Sequence, residues 1–201
     1  MGDEAIAGNL SICHLRGAIG DEAIHPQLTT RTAMINIRPE RPVDLPAIRR
    51  LNTLAFGQSD EARLVDALRE NCPDIISLVA LDGDRLVGHI LFSPVTLTEG
   101  GRYLEGLGLG PVAVLPAHQN QGIGTALIWK GINLATEQGS PFIVVLGHSG
   151  YYPRFGFQPA SRIGIRSDWE VPDEAFMALV LDEAAMQGRS GVARYRPEFS
   201  S

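Results

Sequence analysis

The stretch that decides the fold runs Leu107-Gly-Leu-Gly-Pro-Val-Ala-Val-Leu-Pro-Ala-His-Gln-Asn-Gln-Gly-Ile-Gly-Thr-Ala-Leu127. Its first half reads as a buried apolar strand, and Gln119–Gly124 as a polar, glycine-bearing loop that opens directly into a helix. The first N–H groups of a helix have no acceptor within it and sit at the positive end of its dipole, which makes a ready site for a phosphate. Gly122 and Gly124 favour that use, because side chains there would hold a phosphate away from the backbone. Two other phosphate-binding patterns fail. Gly122-Ile-Gly-Thr125 lacks the lysine of a Walker loop, and Leu127 stands where a dinucleotide fingerprint needs its third glycine.

Pro111 carries a second message. A proline inside a central strand removes a ladder donor, which is tolerated at a bulge or on an open side. With Gly106, Gly108 and Gly110 before it, the sequence predicts a bulge near residues 108–111 and a strand splayed from its parallel neighbour.

Working outward, Phe142–Leu146 is a continuous apolar run that suits a strand covered on both faces. Strand, helix and strand across residues 102–146 then form a right-handed crossover joining parallel strands. Upstream, Met34–Arg38 alternates as a first strand, and Asp44-Leu-Pro46 reads as an N-cap with a first-turn proline. A helix follows as far as Gly57, a second runs from Ser59 to Asn71, and strands at 76–81 and 85–97 are joined by an Asp82-Gly-Asp84 turn. A helical turn at 151–155 and a last strand at 176–181 complete the pattern. The expected fold is α/β, with a mixed central sheet of six to seven strands and flanking helices. Residues 1–33 read as a poorly ordered extension, 34–182 as the domain, and 183–201 as a polar tail packing on the domain or partly disordered.

The net charge of −6 argues against a nucleic-acid partner. Cys13 and Cys72 form neither a disulfide framework nor a metal-ligand spacing. The acidic start and the lack of a long apolar run point to a soluble cytoplasmic protein with no membrane partner.

Gln119-x-x-Gly122-x-Gly124, preceded by Val112-Ala-Val114-x-Pro116, resembles the acyl-CoA-binding signature of the GNAT acyltransferase superfamily. The resemblance extends over about residues 34–181 in element order and includes Tyr151-Tyr-Pro-Arg-Phe-Gly-Phe157. Val87–Val95 and Val171–Met177 are similar to a bacterial branch of predicted N-acetyltransferases.

The resemblance implies acetyl-CoA as cosubstrate, no metal, and transfer of the acetyl group to an amine. Val112, Ala113 and Val114 would hold the pantetheine arm and thioester in the splay. Gln119, Asn120, Gln121, Gly122, Ile123, Gly124 and Thr125 would hold the pyrophosphate. Many relatives place arginine in this loop; here Gln119–Gln121 are neutral, so binding must lean on N–H groups and the helix dipole. Tyr152, four residues before Gly156, matches the general-acid tyrosine, with Tyr151 as fallback and plain aromatic packing as the competing reading.

The base stays open among Glu105, His89, His118, His148 and a water chain, with His148 best placed. Glu105 sits three residues before the catalytic glutamate of some relatives, hence on the other strand face unless the bulge resets the phase. A CoA-binding sensor without turnover is the alternative function. The acceptor is unidentified, and the chain reads as a monomer or homodimer.

Overall fold

The computed structural model describes residues 35–200. The expectations for residues 1–33, and the placement of Met34 in the first strand, lie outside the described residues. Nine strands and four α-helices follow in the order β1 (Ile35–Pro39), α1 (Leu45–Phe56), α2 (Asp60–Asn71), β2 (Ile76–Asp82), β3 (Arg85–Glu99) and β4 (Arg102–Val114). Then come α3 (Ile123–Glu137), β5 (Phe142–Leu146), β6 (Gln158–Pro159), β7 (Ile165–Ser167), β8 (Phe176–Val180), α4 (Glu183–Met186) and β9 (Gly191–Arg194). The main sheet path is β1-β2-β3-β4-β5-β8-β6, with β4 and β5 parallel.

The sheet carries more strands than the expected six to seven. The additional strands, β6, β7 and β9, have two to four residues each, too short for an alternating pattern to register. β9 pairs with Thr96–Thr98 of β3, beyond the end of β2, and β7 pairs with β9. The polar tail therefore becomes part of the sheet.

Strand alternation separates the two faces. Leu78, Ala80, Ile90 and Phe92 pack in one cluster with Ile123, Leu127, Ile128 and Ile132 of α3. Val79 and Leu91, one residue out of phase, pack with Ile48 of α1 and Val65 and Leu68 of α2. A third cluster joins Val95, Phe142, Val144 and Phe176 to Ala193 of β9. Asp44 does not cap α1 through its side chain. Its carboxylate instead takes two hydrogen bonds from Arg38, at 2.6 and 2.9 Å, and one from the Arg41 N–H. The Arg38 hydrogen bonds hold it below the usual carboxylate range.

Candidate active site

β4 pairs with β3 without a break from Arg102 to Leu109, opposite Phe92. The next aligned pair is Ile90 with Val112, so Gly110 and Pro111 together face Leu91. This is the expected bulge; Gly110 has φ of 150° and the Gly110–Pro111 peptide is cis. On its other side β4 pairs with β5 only at Leu107–Ile143 and Gly108–Val144. Beyond Gly108 the two parallel strands part.

The Leu115 N–H donates to Val87 O at 3.0 Å. Antiparallel alternation then turns Ala113 toward β3 and directs the Val112 and Val114 N–H groups to the side where β5 has departed. The Gln119 side-chain amide donates to Val114 O at 3.1 Å, and that of Gln121 to Ala117 O at 3.2 Å. Both glutamines thus brace the loop. Asn120 and Gly122 take positive φ, 59° and 81°, and α3 starts at once. Its first intrahelical bond runs from the Ala126 N–H to Gly122 O, so the N–H groups of Ile123, Gly124 and Thr125 have no acceptor within the helix.

After β5, His148 O accepts the Tyr151 and Tyr152 N–H groups at 2.9 and 3.4 Å, and a 3-10 turn at Tyr152–Phe155 ends at Gly156 in the left-handed region. Tyr152 is 1% exposed. Its ring lies against Gly147, where a Cβ would overlap it, and packs edge-on to Phe157 and Tyr151. The Tyr151 hydroxyl lies 3.4 Å from Thr125 Oγ1 and borders Gly124, whose Cβ position also approaches Val112 and Val114. The structure therefore gathers Val112, Val114, Gly124, Thr125 and Tyr151, with the Tyr152 ring edge-on to Tyr151.

His148 is exposed at the end of β5. Glu105 is exposed opposite Thr96. The bulge comes after Gly108, so it does not reset the phase between residues 105 and 108. Glu105 keeps the face of Leu107 and Leu109, the α3 side. Gly108 holds the other face, where a Cβ would run into the Tyr195 ring. Tyr195 stacks on Trp169 at 4.8 Å and meets Phe199 at 4.9 Å. Burial around its hydroxyl pushes the group well above the usual tyrosine range, while the residue as a whole is half-buried. This aromatic group was missed in the sequence. The run Tyr195-x-Pro-x-Phe199 in an otherwise polar tail was its one available signal.

His118 is drawn to within 4.0 Å of the Asp82 carboxylate. His89 is fully buried, and desolvation lowers it to about 4. Asn52 Nδ2 donates to Ile48 O and faces His89 Nδ1 at 3.2 Å. That network assigns the ring proton to Nε2, which donates to Ser77 Oγ at 3.0 Å. The Ser77 hydroxyl in turn donates to Glu40, which Arg69 grips at 2.6 and 2.9 Å. Burial raises Glu40, but the hydrogen bonds from Arg69 and Ser77 outweigh it and hold it below the usual carboxylate range. His89 is thus a structural histidine on the α1–α2 face. Among the described residues no group of three or more His, Cys, Asp or Glu could hold a metal, and no helix is long and apolar enough to cross a membrane.

Residues 36–160 match the family model of the acetyltransferase (GNAT) domain. The N-acetyltransferase YhbS of Escherichia coli K12 is 34% identical over 165 residues, covering 82% of this chain and 98% of the relative. The crystal structure of YhbS from Escherichia coli in complex with CoA superposes with a TM-score of 0.77 at 32% identity, covering 90% of this chain and 97% of that one. A GNAT family acetyltransferase from Brucella melitensis, in complex with acetyl-CoA, gives a TM-score of 0.67 at 35% identity, covering 83% and 99%.

Proposed function

The chain belongs to the GNAT acetyltransferase family, and on that premise we propose that it moves an acetyl group from acetyl-CoA to a primary amine by direct attack in a ternary complex. The observation that carries this reading is the parting of β4 from β5 beyond Gly108, which opens a slot beside a helix start. The pantetheine arm enters the slot as an added edge, against the outward N–H groups of Val112 and Val114, with Ala113 turned to β3 between them. The pyrophosphate sits over the turn from Gln119 to Thr125. Here Gly122, Ile123, Gly124 and Thr125 offer N–H groups, while Asn120 and the braced Gln119 and Gln121 shape the loop.

In the reaction the amine nitrogen attacks the thioester carbon. The C–N bond forms, the C–S bond breaks, and the thioester oxygen is polarised by the β4 N–H groups. Tyr152 donates its hydroxyl proton to the departing CoA thiolate. His148, exposed beside the two tyrosines, takes the proton from the amine. Glu105 stays outside this mechanism because it precedes the bulge, on the part of β4 short of the slot that opens beyond Gly108. The two cysteines, whose spacing gives no disulfide framework, fit a reducing cytoplasmic setting.

Acetyl-CoA at saturating concentration should raise the Tm of the protein, since a ligand specific to the native state stabilises it. The absence of a shift would sink the reading. CoA release with one member of an amine panel is then expected, whereas binding without release across the panel would make the protein a CoA sensor. Tyr152→Phe should lower turnover about 100-fold, within the range of general acid catalysis, at nearly unchanged acetyl-CoA affinity. Unchanged turnover would remove Tyr152 from the mechanism.

A further inference from the structure

The loop over which the pyrophosphate sits has no full positive charge of its own. Gln119, Asn120 and Gln121 are neutral, and His118 lies beside Asp82. The protein as a whole carries −6, so a polyanionic ligand approaches against the mean field. A cation does stand nearby, and it comes from the segment after β5. The guanidinium of Arg154 lies 4.6 Å from the centre of the Tyr151 ring, and the hydroxyl of that ring reaches Thr125 Oγ1 at 3.4 Å. Spanning one tyrosine ring places the charge within about 10 Å of the helix start, roughly one Debye length at 0.1 M salt.

The platform is braced from below. Phe155 meets the Tyr151 ring edge-on at 5.4 Å and Trp129 of α3 at 5.5 Å, so α3 and the turn after β5 hold Tyr151 between them. Arg154 itself is exposed, and its hydrogen bond to Gly150 O is long at 3.5 Å. Its fork is therefore set on a fixed ring beside the loop. Arginine suits this position because its planar fork takes phosphate oxygens in pairs while still stacking on an aromatic face.

We propose that Arg154, seated on Tyr151, is the residue that neutralises the phosphates of acetyl-CoA, supplying from the turn after β5 the charge that the loop before α3 lacks. The inference rests on acetyl-CoA being the donor.

Calorimetric titration of the full chain with CoA, dephospho-CoA and acetyl-pantetheine tests it. Arg154→Gln should weaken CoA about tenfold and make log Kd less steep against log salt, because one charge contact fewer responds to screening. Acetyl-pantetheine, which has no phosphate, should bind variant and wild type alike. A penalty that vanishes with dephospho-CoA assigns Arg154 to the 3′-phosphate, and one that persists assigns it to the pyrophosphate. Unchanged CoA affinity in Arg154→Gln, or an equal loss with acetyl-pantetheine, overturns the proposal. A wild-type protein that does not bind CoA would instead overturn the donor assignment beneath it.

Discussion

Beyond the bulge in β4 the proposed donor slot is bordered by Val112, Val114, Gly124 of α3 and backbone N–H groups. On the α1–α2 side a chain of polar side chains, half-buried Glu40 and buried Ser77, His89 and Asn52, runs between helix and sheet, and Tyr195 fills the space over Gly108. The proposed donor slot is thus made mostly of main chain, whereas the opposite face is made of side chains gathered from distant segments. A main-chain slot serves any molecule that carries the same thioester arm.

The largest expected effect tests the polar face. Burial lowers His89 from its ordinary 6.5 to about 4 in the folded chain, so the unfolded chain binds its proton first as pH falls. Its contribution is complete above pH 6.5 and is lost progressively toward pH 4, roughly 2 kcal/mol being gone by pH 5 and about 3 at pH 4. The charged groups facing it are Glu40 and Arg69, and Glu40, held low by Arg69 and Ser77, stays ionised through most of that window. Urea unfolding at pH 7 and pH 5 reads the difference, and imidazole NMR signals of a neutral His89 at pH 5 identify its source. A flat stability profile, or a protonated His89 at pH 5, would show that the chain of hydrogen bonds does not hold the ring neutral.

A second, somewhat smaller effect separates glycines that serve packing from those that serve a ligand. Gly106 faces Phe142, whose fully buried ring occupies the place of a Cβ. Gly106→Ala should therefore destabilise the protein by about 2 kcal/mol, in the usual range for an overpacked core. A urea midpoint equal to that of the wild type would mean that β4 or the ring can shift freely at this point.

The contrast between the faces also explains what could be read from the sequence. The bulge at Gly110–Pro111, the splay and the start of α3 were legible because proline and glycine act locally, on their own backbone. The long elements from β1 to β5 were legible because each shows a hydrophobic period over five residues or more. β6, β7 and β9 were not, since short strands paired across long sequence separations leave no such period. His89 could be named as titratable but not recognised as buried, because its partners Asn52 and Ser77 are 37 and 12 residues away. Arg154 lay within a quoted motif, yet its tie to the loop passes through the fold of Tyr151 onto Thr125.

Gly124 gives the counterpart of Gly106 and the smallest expected change in stability. A Cβ here would approach the Tyr151 hydroxyl at 3.4 Å and the Val114 and Val112 side chains at 3.8 and 4.0 Å, all ordinary contacts. The position lies in the first turn of α3, where alanine is a better helix former than glycine by about 1 kcal/mol. Gly124→Ala should accordingly leave the urea midpoint unchanged or slightly raised. The same methyl group would stand between the ligand and the N–H groups of the helix start, so acetyl-CoA affinity should fall about tenfold, close to the loss of one charge-assisted hydrogen bond. If Gly124→Ala instead lost stability while keeping its affinity, glycine at this position would serve the fold, as at Gly106, and the loop would not be where the phosphates bind.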